Sequence, residues 1–448
     1  MHKLIATTLL SALLSLSLTV FTQSNKYATP SMWLQGNTSG DASRLVDINF
    51  NPAMLMNAQA ASIKITDKVS SLRRVTIFTV YQNANNDEQS VWKIGGRLGN
   101  ISLSTRQVAG NDNTSVAFAK DQPAGNKTIA PLIHTYIGRN RQSNDGTENK
   151  DATIQWGLSA GGGYIAEFIL FERILNEEEL AKTETYLALK YGIGLEKNYL
   201  NSSGATVWNY KIDKYFSHHI AGIGRDDRTS LYQKQSTSSY QPGELVIGVN
   251  KIASSNKTNT GQLSNGDYLI WGDNDQPFTL QETIKTGSDE MLLTGKKWMI
   301  RRSGNTDHNI STELAIDIKS LFSHYSKENF FLVIDKSGSG NFNTSDCIYV
   351  TPESISKEGI ASFGNLQWDV DRSGKDVFAF GLKINPNVSG PDKNKSIRSF
   401  RVYPNPLVDG RYKIEVVLEK PADVQIQFYD LHQQLLETKK GSGQSNYL

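Results

Sequence analysis

Two adjacent histidines, His218-His219, stand a few residues before Arg225-Asp226-Asp227-Arg228. Imidazole and carboxylate together make the donor set of a transition-metal site. The spacing argues against one here. Neighbouring residues on a strand project to opposite faces, so consecutive histidines do not readily share an ion. The GRDDR run follows the apolar Ile220–Ile223 and reads as a salt-linked turn rather than a metal site. The segment from Asp335 to Asp346, DKSGSGNFNTSD, places side-chain oxygens at positions 1, 3, 5 and 12 and Gly340 at 6, the spacing of a calcium loop. Serines stand where the middle carboxylates belong, Asp346 replaces a bidentate glutamate, and no helices flank the loop, so a hairpin turn is the better reading. Asp273-Asn274-Asp275, after Trp271, is likewise a turn first and a calcium candidate second. Cys347 is the only cysteine, which excludes an internal disulfide, and it reads as a small core residue. No Ser/His/Asp arrangement, phosphate loop, dinucleotide fingerprint or zinc spacing emerges. No catalytic and no cofactor-binding residue is therefore assigned, and calcium is the one cofactor left open.

The elements that must carry these residues are mostly short strands. Val75–Tyr81, VTIFTVY, is almost continuous β-branched and aromatic sequence, a buried strand. Ser90–Ile94, Ile101–Thr105, Ser115–Phe118, Ile133–Ile137 and Ile154–Trp156 add further strands, separated by polar turns at 110–114 and 139–149. The pivot of the chain is Ile165–Ile193, a strand running into one long helix. Asn176 caps it, Glu177, Glu178 and Glu179 favour its positive end, and Glu179 completes a capping box. Those glutamates are helix chemistry rather than acid/base groups. Leu180, Leu187, Ala188 and Tyr191 form one apolar stripe, and Gly192 ends the helix. Beyond it, Ala205–Trp208, Ile220–Ser236, Glu244–Val249, Asp267–Asp275, Lys296–Gly304, Phe330–Asp335 and Asp376–Leu382 read as a second set of strands. Trp92, Trp156, Trp208, Trp271 and Trp298 lie inside strand patterns and are expected to pack in cores.

The expected fold class is thus all-β and multidomain: a jelly-roll sandwich closed by one C-terminal helix, a second all-β domain and a partial C-terminal β-sandwich. At 448 residues the chain needs two or three domains. A net charge of +2 provides no field for nucleic acid or an anionic membrane. His2-Lys3 followed by the apolar Leu4–Phe21 reads as a secretory signal, with no transmembrane segment after its removal. The expected divisions are a signal peptide at 1–23, the first sandwich at 27–196, an all-β module at 197–384, a Pro/Gly/Asn linker at 385–398 and a C-terminal domain at 399–448.

Glu167, Phe171, Arg173, Leu175, Asn176 and Glu179, after a glycine-rich turn, resemble the closing phrase of a LamG-like, concanavalin A-type domain. Tyr186–Ile193 and Phe50–Ala53 are similar to phrases in surface proteins of Bacteroidetes-type bacteria, and IAGIGRDD, LIWGDN and the WMIRRSG stretch resemble a module of unknown role in the same proteins. Tyr403-Pro404-Asn405-Pro406 followed by Gly410 resembles the C-terminal sorting domain of type IX secretion, here expected to be truncated. The resemblance implies a secreted or outer-membrane surface protein, handled by the type IX machinery, that binds polysaccharide or surface glycan as an adhesion module without catalysis of its own. A glucanase of this fold needs an E-x-D-x-x-E strand placing two carboxylates about 5–5.5 Å apart. None occurs in residues 30–195, and Glu167 has Ile169 where the partner belongs. A secreted glycoside hydrolase and a structural spacer remain the alternatives.

Overall fold

The computed structural model describes residues 29–36, 45–55, 62–83, 88–96, 98–110, 115–117, 130–139, 151–156, 163–286, 289–304, 309–321, 329–384, 397–408, 411–429 and 435–447. The expected signal segment, most of the two polar loops at 110–114 and 139–149, most of the linker, and Gly410 lie outside them. The chain divides into two compact units, residues 1–383 and 384–448. The class is all-β and multidomain, as expected, with one long helix among the described residues.

Two sandwiches make up the first unit. In the first sandwich, one sheet runs in the order Leu132–Arg139, Arg74–Asn83, Gly163–Phe171, Asn51–Leu55, Leu45–Ile48, with Met32–Gln35 also on Gly163–Phe171. The facing sheet runs Ser62–Lys64, Thr153–Trp156, Ser90–Gly95, Ile101–Ser104, Gln107–Ala109, Ser115–Ala117. In the second sandwich a nine-stranded sheet carries His218–Asp226, Tyr268–Asp273, Trp298–Ser303 and Lys375–Ile384 side by side. Its partner is a five-stranded sheet around Leu245–Val249 and Thr312–Asp317.

The uninterrupted apolar strands have a physical reason. Val75, Ile77 and Tyr81 point into the first sandwich beside Trp92 and Phe168, while Phe78 and Val80 on the other face belong to a different core. The same division occurs in the second sandwich. Leu269 and Trp271 line its interior, while Tyr268 and Ile270 join the core that Phe78 and Val80 belong to. That shared core is filled by the helix Glu177–Tyr191, so sheets of both sandwiches are covered on two faces. Trp92, Trp156, Trp208, Trp271 and Trp298 are all buried, as expected.

The helix departs from the single stripe expected of it. Thr183 through Leu189 and Tyr191 are all buried, and Leu180 is only half-buried. A helix held between two sheets has two buried faces, and the polar residues on them must find partners. They do: Thr135 donates to Glu184, which also pairs with Lys197, and the Thr185 hydroxyl accepts from Leu200 N–H. Its ends are as expected. Asn176 and Glu179 form the capping box, Arg173 grips Glu179 through two nitrogens, and Gly192 takes the left-handed conformation at φ 65°.

Two asparagines lock the three parts together. Asn49 donates to the helix carbonyl of Lys190 at 3.1 Å and to Ser236 at 2.9 Å, and accepts from Thr237 N–H at 2.8 Å. Asn51 donates to the same Lys190 carbonyl at 2.7 Å and to Gln233 at 3.0 Å. The end of the helix, where the sequence places the passage between modules, therefore lies inside one packed unit. The second unit is a three-stranded antiparallel sheet, Ile397–Val408, Arg411–Tyr429 and Leu435–Tyr447. Tyr403, Pro404, Asn405 and Pro406 lie in its first strand, an edge whose pairing slips between Tyr403 and Val408. An edge tolerates prolines that a central strand would not. Among the described residues no helix is long and apolar enough to cross a membrane.

Candidate functional site

The strand His218–Asp226 pairs with Tyr268–Asp273, and the register slips between His218 and Ala221. His219 sits in that irregularity with φ 47°, a conformation uncommon outside glycine. The bulge defeats the alternation on which the two histidines were separated. Both approach Asp275: His219 Nε2 is 3.9 Å from one carboxylate oxygen and His218 Nδ1 4.0 Å from the other. Asp273 and Asp275, the minor calcium candidates of the sequence, are thus brought to the histidines. Among the described residues, His219, Asp273 and Asp275 are the one group of three such side chains whose ligand atoms lie within 4.8 Å of one another.

Asp273 is the buried anchor of this cluster. His219 Nδ1 is 2.9 Å from it, Asp275 N–H donates to it at 2.8 Å, and Lys296 Nζ lies 3.3 Å away. Burial pushes the Asp273 carboxyl up, but the His219 hydrogen bond, the neighbouring charges of Lys296 and His219 and the Asp275 N–H together hold it below the usual carboxylate range. Lys296 is itself buried and spends its ammonium on Gln241, Glu244 and Asp273, with the Trp298 ring 5.5 Å away. An unpaired ammonium at that depth would be costly, so the lysine fixes the carboxylates around it.

His219, Asp273, Gln241, Glu244, Trp271 and Trp298 line a cleft in the second sandwich. It is a shallow cleft with room inside for about one water molecule and a mouth open to solvent. Two exposed tyrosines stand next to these residues. Tyr215 is 63 % exposed and its hydroxyl accepts from Asn274 at 3.3 Å; Tyr240 is 50 % exposed and adjoins Gln241 in the chain. Neither the tyrosines nor Lys296, Gln241 and Glu244 stood out in the sequence. No local pattern marks them, because they meet only through the pairing of distant strands.

The remaining predicted residues lie elsewhere. Asp335 is fully buried and its carboxylate accepts from Ser337 N–H, the Ser337 and Ser339 hydroxyls and Gly340 N–H. The loop's own donors thus occupy it, as in a hairpin turn, and Asp346 is exposed at the far end. Cys347 is half-buried, packed against the edge of the shared core rather than inside it: it follows the turn at an outer strand, and burial pushes its thiol up. Arg225 and Asp227 form the salt-linked turn, while Asp226 is buried under the Tyr268 hydroxyl and Ser202 N–H. Glu167 is buried and accepts from Trp33, Tyr186, Tyr191 and Lys190. Four donors hold that carboxylate as the bolt between sheet and helix.

A family model for a domain of unknown function (DUF8202) matches residues 179–371, a span that contains most of the helix, the cleft and both aspartate loops. No curated protein matches the chain. Among solved structures, the CBM22-1 xylan-binding domain of Paenibacillus barcinonensis Xyn10C is 11 % identical over 34 % of this chain and 100 % of its own, with a TM-score of 0.20. The binding domain of botulinum neurotoxin DC in complex with SialylT is 11 % identical over 68 % of this chain and 82 % of its own, with a TM-score of 0.22. Superposition this slight carries no argument about the chain.

Proposed function

We propose that this chain is an exported glycan-binding or adhesion protein with no catalysis of its own, and that the cleft of its second sandwich is the contact surface. The observation that carries the reading is a fixed polar cleft wall flanked by two exposed tyrosines, Tyr215 hydrogen-bonded to Asn274 and Tyr240 next to Gln241 in the chain. Tyr215 and Tyr240 are exposed rings, and Gln241, Glu244 and His219 are hydrogen-bonding groups in the cleft wall. Sugars bind through such combinations, with C–H faces on aromatic rings and hydroxyls on polar groups. The cleft is narrow, so a saccharide lies across its mouth. That geometry suits recognition of a chain surface better than enclosure of a scissile bond. The hydrolase alternative loses its natural carboxylate, since Glu167 is buried and consumed by four donors.

The apolar N-terminal run supports export, and the resemblance of Tyr403–Pro406 and Gly410 to a sorting signal supports delivery to the cell surface by the type IX machinery. The binding claim is tested with a glycan array probed with the full chain, followed by calorimetry on the strongest hit. Tyr215→Ala and Tyr240→Ala are each expected to weaken binding tenfold or more, with unchanged melting because both residues are exposed. Absence of binding to every glycan, or affinity unchanged in both variants, overturns the reading.

A further inference from the structure

Lys296 stands in the turn between the strands Asp289–Thr294 and Trp298–Ser303 and is only 2 % exposed. Its Nζ meets three side-chain oxygens: Glu244 at 2.5 Å, Gln241 at 2.7 Å and Asp273 at 3.3 Å. The Trp298 ring is 5.5 Å away, and Trp271 and Leu245 line the same cleft, so apolar surface keeps bulk water from the group. Glu244 and Asp273 offset the buried charge. Gln241, a neutral amide, does not. What it adds is an acyl carbon, one bond beyond the oxygen that Nζ touches.

A lysine becomes a nucleophile when its ammonium gives up a proton to a neighbouring base. Glu244 is in place to take that proton, at 2.5 Å. The amine then adds to Gln241 Cδ, and the carbonyl electron pair moves onto Oε1. The carbonyl re-forms as the bond from Cδ to Nε2 breaks, and Glu244 hands protons to the leaving nitrogen. One bond forms, Nζ to Cδ, and one breaks, Cδ to Nε2. Lys296 loses two protons, both of which leave with that nitrogen as ammonium, and nothing is oxidised or reduced. The cleft holds about one water molecule and opens to solvent, which suits the exit of ammonia, a molecule of the same size. The carboxylates are poorer acyl partners, because an ionised carboxylate resists attack by an amine. Asp273 in particular is held below the usual carboxylate range by the His219 hydrogen bond and the neighbouring charges, against the opposing effect of burial.

We propose that Lys296 and Gln241 join in an intramolecular isopeptide bond, with Glu244 as the proton carrier. Gln241 precedes the strand Leu245–Val249 of the five-stranded sheet, and Lys296 precedes Trp298–Ser303 of the nine-stranded sheet. The bond therefore staples the two sheets of the second sandwich to each other. Cys347 is the only cysteine, so a disulfide cannot do this within one chain, whereas an amide needs neither a second cysteine nor an oxidant. The carboxylates are provided for once the ammonium is gone. Asp273 keeps His219 and the Asp275 N–H as partners, and Glu244 has a side chain 25 % exposed to water. The inference does not rest on the glycan reading: the bond is read from mass, and glycan affinity can fail separately.

The test is electrospray mass spectrometry of the purified, denatured full chain, followed by tryptic mapping. The expected mass lies about 17 Da below that of the amino-acid sequence, the loss of one ammonia, and the map contains one branched peptide joining Gln241 to Lys296. Lys296→Arg is expected to abolish the bond. Glu244→Gln keeps the shape of the site and is expected to cut the cross-linked fraction by about tenfold or more. Circular dichroism verifies the fold of both variants. A wild-type chain at its full mass overturns the proposal whatever the variants do, and means a lysine held by ion pairs alone. A loss of about 18 Da, one water, with a peptide branched at Glu244 or Asp273, overturns the assignment of Gln241. Cross-linking undiminished in Glu244→Gln overturns the role given to that carboxylate.

Discussion

Asp376 is the side chain through which pH reaches stability most directly. It is 1 % exposed, one of its oxygens has no hydrogen-bond partner, and its carboxyl is pushed up to about 7. Burial is the main cause; Asp369 N–H opposes it, and the charges of Asp369, Asp371 and Asp335 add to it. The folded value lies above the unfolded one, so the native state holds the proton more tightly between pH 4 and 7. This group's contribution therefore falls as pH rises through that window and levels off above about 7. The penalty at pH 8 is on the order of 2–4 kcal/mol. Urea unfolding at pH 4, 6 and 8 is expected to show that slope in the wild type and to lose it in Asp376→Asn; an equal slope in the variant would refute the assignment. The sequence left this aspartate as one more polar residue at a strand start, because its burial comes with the turn that folds Asp369 N–H onto it. His218 and His219 teach a related lesson. Alternation separates them on a regular strand, and one bulge reunites them on Asp275.

At the scale of the element, the helix Glu177–Tyr191 was legible in its ends and not in its faces. Caps are local chemistry: Asn176 and Glu179 are three residues apart, and Gly192 is the only residue type that takes φ 65° there without strain. Burial on two sides depends on sheets more than a hundred residues away. Gly192 carries both kinds of constraint, since a Cβ there would stand 2.2 Å from the Thr237 carbonyl oxygen. Gly243 has a similar φ of 81° with nothing within 4 Å. Gly243→Ala is expected to cost about 1 kcal/mol, the left-handed penalty alone, and Gly192→Ala at least about 2 kcal/mol more, from the clash. Equal costs in chemical denaturation would show that the helix end is free to move away from the second sandwich. Strands that the sequence did not yield, Leu280–Thr286, Asp289–Thr294, Thr312–Asp317 and Ile360–Leu366, share a trait. Thr312–Asp317 alternates buried and half-buried residues along its length, with Glu313 and Asp317 among the latter. Such mixed runs resemble loops until a partner sheet shows which face is inward.

For the whole first unit, the shared core makes a strong claim about cooperativity. Leu187, Leu189 and Ile193 pack with Phe78 and Val80 of one sandwich and Ile220, Leu231 and Ile270 of the other. Leu189 lies so close to Gly222 that a Cβ there would stand 2.9 Å from it. A fragment ending at residue 196 would expose that surface, together with Asn49 and Asn51, which lose Ser236, Thr237 and Gln233. It is expected to aggregate or bind a hydrophobic dye, while the full chain melts its two sandwiches in one transition. A monomeric residue 27–196 fragment with a sharp melt of its own would break the shared-core account.

The sequence by itself determined the class of this protein, its strand-rich cores, the capped helix and the turn chemistry of its aspartates, because each depends on neighbours a few residues apart. Only the tertiary structure decided that the helix is a filling between two sheets, that Glu167 is a bolt between sheet and helix, and that His219, Asp273, Asp275 and Lys296 come together. Those facts depend on a bulge and on strands paired across more than fifty residues, and no local spacing encodes either.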